Sequence, residues 1–126
     1  MPLVRISLGQ GKPPAYRAAV GESVHRAMVE TIGIPPDDRF QIITEHAPGD
    51  LVFDRGYLGI ARTPDLVMLQ ITISAGRPVE KKMALFARLA ERLAESPGLR
   101  KEDVFICLVE VAKENWSFGN GVAQYA

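Results

Sequence analysis

A spacing of 65 residues recurs along this chain of 126 residues and limits the folds open to it. Gly11 is matched by Gly76, Pro13 by Pro78, Gly33 by Gly98, Asp38 by Asp103, Phe40 by Phe105 and Glu45 by Glu110, each at the same offset of 65 (103 − 38). Every match falls at a turn or at an equivalent strand position. That regularity predicts a duplicated unit over about 2–46 and 67–111, within a single domain spanning 1–126.

Each copy reads as β-α-β. Leu3 to Leu8 alternates, with Val4, Ile6 and Leu8 on one face and Arg5 and Ser7 on the other, as in a half-buried strand. Gly9 to Pro14 is a turn into a helix, with proline suited to the first helical turn. From about Ala15 to Thr31, the apolar residues Val20, Val24, Ala27 and Met28 fall at helical spacing, and Gly33 provides a C-terminal stop. Phe40 to Glu45 is the second strand. Leu66 to Ser74 is the third, followed by the turn Ala75-Gly76-Arg77-Pro78. The second helix runs from Val79 to about Glu95, with Met83, Phe86, Leu89, Ala90 and Leu93 as its apolar stripe, and Pro97-Gly98 closes it. Val104 to Val111 is the fourth strand. Between the copies, residues 47–65 have no clear period. Leu51 to Asp54 is expected as a short strand, and Arg55 to Pro64 as a loop with one more extended piece.

The fold class is therefore α/β (α+β): duplicated β-α-β units forming a four-stranded mixed sheet, with two helices on one face. Strand 104–111 is apolar on both faces, and strand 66–73 nearly so. Such strands are buried on both sides. A chain of this length has no third layer, so a partner subunit is expected to supply one. Cys107, the sole cysteine, is expected as a small buried hydrophobe.

Fifteen basic and fifteen acidic residues cancel, which argues against a nucleic-acid or anionic-membrane partner. No apolar run approaches the roughly 20 residues of a membrane span, and no signal peptide is evident. A cytoplasmic protein is expected. His25 and His46 lack partners at metal-ligand spacing, so no metal site is expected. No phosphate loop or G-x-S-x-G motif occurs.

Pro2 carries the most specific chemistry. With Met1 removed it would present a free secondary amine, which titrates at about 7.7–8.0 when unperturbed and lower when buried beside cations. Such an amine serves as a general acid or base, or as a nucleophile toward a carbonyl. Its repeat-mate is Val67, so only the first copy carries this group. Arg77 and its repeat-mate Lys12 lie in strand-to-helix turns, where helix N-termini favour anions. Arg77 suits a bidentate carboxylate contact; a solvated surface arginine is the plain alternative. Asp38 is either a turn residue or a carboxylate beside the proline amine. Gln41 offers a neutral hydrogen-bond partner at the same end. Trp116 and Phe118 are either packing residues or an apolar wall that desolvates the amine.

The Met-Pro-Leu start, Gly11-Lys12 and the run Arg39-Phe40-Gln41-Ile42-Ile43-Thr44-Glu45 resemble the tautomerase superfamily, typified by 4-oxalocrotonate tautomerase. Ala75-Gly76-Arg77-Pro78 and Trp116-Ser117-Phe118-Gly119 look most like its malonate semialdehyde decarboxylase branch, although this turn has one arginine where the branch pattern has two. The resemblance implies a homotrimer, no cofactor, and a small carbonyl acid as substrate. It implies Pro2 as the catalytic amine, Asp38 assisting it, Arg77 holding the carboxylate, and Trp116 and Phe118 lining the pocket. Three activities follow: decarboxylation of a 3-oxo acid such as malonate semialdehyde, keto–enol tautomerisation of a 2-oxo acid such as phenylpyruvate, or non-catalytic binding on the same fold.

Overall fold

The computed structural model describes residues 2–126, so the expected removal of Met1 lies outside the described residues. Six main elements run in order: β1 (Leu3–Gly9), α1 (Pro14–Ile32), β2 (Gln41–His46), β3 (Val67–Ser74), α2 (Val79–Glu95) and β4 (Val104–Val111). The sheet order is β2-β1-β3-β4. β1 is parallel to β2, β3 is parallel to β4, and the two central strands β1 and β3 are antiparallel. The sheet is therefore mixed, as the duplicated β-α-β reading requires.

Local bonds recur at the 65-residue offset. Gln10 N–H donates to His46 O at 2.9 Å, and Ala75 N–H to Val111 O at 2.8 Å. Asp38 N–H reaches Pro35 O and Asp103 N–H reaches Arg100 O, both at 3.0 Å. Arg17 pairs with Glu45 at 3.0 Å, and Lys82 with Glu110 at 2.8 Å. Both helices begin just after a proline in extended conformation, Pro13 and Pro78. Gly33 ends α1 at φ 70°, a left-handed conformation that a side chain would strain.

The core lies between the sheet and the two helices. Val4, Ile6 and Leu8 of β1 and Val67, Leu69, Ile71 and Ile73 of β3 meet Val20, Val24 and Met28 of α1 and Leu85, Leu89 and Leu93 of α2. All are nearly inaccessible to solvent. Each such side chain contributes roughly 1.5–3 kcal/mol on burial. The buried stripe of α2 differs from the expected one. Leu85 is buried, whereas Met83 and Phe86 are exposed. The i, i+4, i+8 row of leucines faces the sheet, and Met83 and Phe86, three residues apart and so neighbours on the helix surface, both lie to one side of it.

Among the described residues, no helix covers the opposite sheet face. Register places Arg5, Gln70, Cys107 and Ile42 in one row across it, and Ser7, Met68, Phe105 and Thr44 in the next. Phe105 and Ile42 are exposed, and Cys107 is exposed rather than buried, because these side chains point away from the helices.

Residues 47–65 also differ from expectation. Leu51 to Asp54 forms no strand, and the only regular piece of the segment is a short 3₁₀ turn, Tyr57–Gly59. Side chain-to-backbone bonds organise it instead. Asp54 Oδ2 accepts from Gly56 N–H at 2.9 Å, and the Arg62 guanidinium donates to Asp54, Tyr57 and Ile60 carbonyls at 3.0–3.3 Å. Among the described residues, no helix is long and apolar enough to cross a membrane.

Candidate active site

Pro2 is buried at the start of β1. Leu3 pairs with Thr72 on one side, and Val4 with Gln41 on the other. The register therefore brings Pro2 level with the end of β3 and with the Asp38–Arg39 approach to β2. Val4 N–H donates to Phe40 O at 3.0 Å, which ties that approach to β1.

The turn after β3 delivers Arg77, half-buried, to the same end. Its guanidinium Nη1 donates to Ser74 O at 3.1 Å, which leaves its other donors for a ligand. The turn itself is braced from β4. Lys82 donates to Glu110 at 2.8 Å and holds that carboxyl below its usual range, helped by a hydrogen bond from the Gly76 backbone and the nearby Arg77 charge.

The segment after β4 closes over this end. Trp116 Nε1 donates to Ser74 Oγ at 3.1 Å. The Phe118 ring stacks on Trp116 with centroids 5.5 Å apart and 10° between planes. Phe118 also meets Phe40 at 5.8 Å and the edge of Tyr125 at 5.3 Å. Gln124 fixes the closure, accepting from Phe118 N–H at 3.0 Å and donating to Gly119 O at 3.1 Å.

Pro2, Asp38, Arg77, Trp116 and Phe118 thus converge at one end of the sheet. Gln41 lies on β2 beside Val4, but its amide is committed elsewhere. It donates to Gly21 O of α1 at 2.8 Å and accepts from Arg39 Nε at 3.3 Å. Arg39 in turn pairs with Glu22 at 2.7 Å. Lys12 stands at the other end of the sheet, paired with Asp65 at 3.2 Å and lying over the Tyr16 ring. His25 Nε2–H donates to Pro36 O at 2.7 Å in a structural contact.

Sequence reasoning missed Ser74, Phe40 and Tyr125 as parts of this end. Phe40 carried a signal, since it sits next to Arg39 in the run that carries the resemblance. Ser74 and Tyr125 carried none, because their roles arise only when the tail folds back.

Asp103, the repeat-mate of Asp38, clarifies what that position does. It is buried, and its carboxylate accepts from Thr63 N–H at 2.7 Å and Thr63 Oγ1–H at 2.5 Å, just ahead of β3. In the first copy the same position leads into Arg39 and Phe40, and the Phe40 carbonyl accepts from Val4 N–H of β1. Pro2, a carboxylate, a guanidinium and an aromatic roof at one strand end make up the candidate site.

Two family models, each described as tautomerase enzyme, match residues 38–119 and 2–57. The chain belongs to the tautomerase superfamily, and within it resembles the malonate semialdehyde decarboxylase branch. It is 39% identical over 124 residues to "Probable tautomerase YusQ" of Bacillus subtilis (strain 168), covering 98% of each chain. It is 37% identical to "Probable tautomerase YrdN" of the same strain, covering 99% of this chain and 96% of that one. Among solved structures, FG41 malonate semialdehyde decarboxylase inhibited by 3-bromopropiolate superposes with a TM-score of 0.92 at 42% identity, covering 98% of this chain and 93% of that one. A fused 4-OT symmetric trimer superposes at 0.79 with 29% identity, covering 98% and 97%.

Proposed function

We propose that the chain is a cofactor-independent, proline-dependent decarboxylase of malonate semialdehyde or a similar 3-oxo acid. The observation that carries this reading is the convergence of buried Pro2 with Arg77 and the Trp116–Phe118 roof at one sheet end. The 42% identity to a malonate semialdehyde decarboxylase supports the same substrate class.

In this reading Arg77 grips the substrate carboxylate and sets it out of the carbonyl plane. The protonated Pro2 amine polarises the aldehyde oxygen, or its neutral form adds to the carbonyl carbon and gives an iminium with loss of water. The bond between the carboxylate carbon and the adjacent methylene then breaks. Its electron pair moves into the polarised carbonyl or iminium, carbon dioxide leaves, and an enol or enamine remains. Protonation at carbon, and hydrolysis where an iminium formed, gives acetaldehyde. Asp38 holds the amine protonated or activates the water. Trp116 and Phe118 exclude bulk water, which strengthens the charge interactions. Gln41 supports the site from behind by fixing α1 and Arg39.

One observation favours a second reading, keto–enol tautomerisation of a 2-oxo acid such as phenylpyruvate. The turn Ser74-Ala75-Gly76-Arg77 holds a single arginine. In that case Pro2 shuttles a proton between oxygen and carbon.

A homotrimer fits the uncovered sheet face, and related fused 4-OT chains are described as trimers. Sedimentation at several concentrations tests the assembly. Acetaldehyde release from malonate semialdehyde, with protein whose intact mass lacks Met1, tests the activity. Release well above the spontaneous rate supports the decarboxylase. Its absence, with ketonisation of phenylenolpyruvate retained, moves the assignment to the tautomerase. Neither activity leaves binding alone.

A further inference from the structure

The fold carries a second pocket, at the opposite end of the sheet from Pro2. A cavity of about 430 Å³ opens where β1 and β2 end, under the 47–55 segment. With about 3.3 Å per strand residue, Gly9 stands roughly 23 Å from Pro2 along β1.

This cavity is the repeat-mate of the Pro2 site. Its lining includes Gly9, Gln10, Leu51 and Phe53. Their positions 65 residues on are Ser74, Ala75, Trp116 and Phe118. Leu51 and Phe53 thus form an apolar wall where the first site has its aromatic roof.

The reactive groups have been replaced. Val67, fully buried, stands where Pro2 stands at the other end, so there is no amine. Asp103 is bound to Thr63, and Lys12, the mate of Arg77, is paired with Asp65. A different cation serves this end. Arg55 lines the cavity, with its guanidinium over the Phe53 ring at 5.9 Å. Stacking of this kind orients the planar fork while leaving its N–H edge open to an acceptor. His46 also lines the cavity, and its Nε2 is buried without a hydrogen-bond partner. Buried polar atoms without partners are uncommon, and no protein bond at Nε2 holds that ring against a turn toward a ligand.

We propose that this cavity is a second, non-catalytic binding site for a small carboxylate with an apolar body. Arg55 takes the carboxylate, His46 turns to donate a second hydrogen bond, and Leu51, Phe53 and Pro64 receive the apolar part. The inference stands on the cavity and its lining, and it holds whichever reaction occurs at Pro2.

Phenylacetate is a suitable probe, followed through backbone amide resonances of the assembled wild-type protein. Saturable shifts at Gly9, Gln10, Gly49 and Val52 are expected, with affinity reduced about tenfold in Arg55→Ala. Phenylacetamide, which keeps the ring and lacks the charge, is expected to leave those four amides unmoved. Shifts confined to Gly76, Arg77 and Phe118 would place all binding at the Pro2 end and overturn the proposal. So would equal affinity in Arg55→Ala, or equal binding of the neutral amide. A cavity filled by a neighbouring protomer would give no shift at the four amides and would overturn it too.

Discussion

The indole of Trp116 is anchored on Ser74, the last residue of β3, by a 3.1 Å hydrogen bond from Nε1 to Oγ. That bond joins the tail to the turn carrying Arg77, since Arg77 donates to the carbonyl of the same serine. Ser74→Ala removes the hydroxyl and keeps the carbonyl. The lost bond is worth about 1 kcal/mol, so Tm should fall by a few degrees, and on the proposed reading kcat/KM should fall roughly fivefold as the roof loosens. Steady-state kinetics beside thermal melts check this; an unchanged kcat/KM would mean that the roof needs no anchor.

On the proposed reading Arg77 does more than supply charge. Arg77→Ala should cost roughly 1.5–3 kcal/mol in kcat/KM, about one to two orders of magnitude. Arg77→Lys keeps the charge but not the planar fork, so it should recover only a small part of the loss. Full recovery by lysine, measured on the same substrate, would show that a point charge suffices.

Replacement of Pro2 tests the amine itself. Pro2→Ala, with removal of Met1 checked by intact mass, should lower kcat by about 10²–10⁴. The fold should persist, because the register of β1 begins at Leu3. Circular dichroism and sedimentation separate loss of chemistry from loss of structure.

Gln41 should behave as a structural support. Its amide ties β2 to Gly21, and a methyl group at Gly21 would meet Gln41 Oε1 at only 2.7 Å. Gln41→Ala should lower stability by about 1 kcal/mol and change KM less than twofold. A large rise in KM without loss of stability would instead make Gln41 a direct substrate contact.

The helix pair predicts an acid-sensitive contact. Glu30 of α1 accepts from Arg88 at 2.5 Å and from Arg92, both on α2. The Arg88 hydrogen bond, with that from Arg92, holds the Glu30 carboxyl below its ordinary value of 4.5, against a smaller opposing effect of burial. A lowered folded-state pKa adds stability above the unfolded value, and that stability is lost as pH falls through the folded value. The Tm advantage of wild type over Glu30→Gln should therefore be full at neutral pH and shrink below about 4.5. A difference independent of pH would assign the effect to packing.

The strands and helices were legible because alternation and 3.6-residue spacing are local signals, bounded here by glycine and proline. The repeat gave the pairing of elements, and Pro2 and Arg77 stood out by residue type. Other features depend on contacts between distant residues. The 47–65 segment is shaped by Arg62 reaching three carbonyls, which leaves no periodic trace. Cys107 looked buried because its strand is apolar on both faces, yet one of those faces is uncovered in this chain. Met83 and Phe86 looked like core residues by hydrophobicity, but the leucine row of α2 took that place. The anchoring of Trp116 on Ser74 emerged only when the tail closed.

With Pro2 as the proposed reactive group, duplication has a consequence for how this chain tolerates change. On that reading the same topological position answers to packing alone at Val67 and to chemistry at Pro2. A saturation library selected for solubility should treat the two halves alike. One selected for turnover should tighten at Trp116 and Phe118 while leaving Leu51 and Phe53 open to apolar exchange. The older symmetry of the fold would then survive in its tolerance map as a scaffold, with function marked as the departure from it.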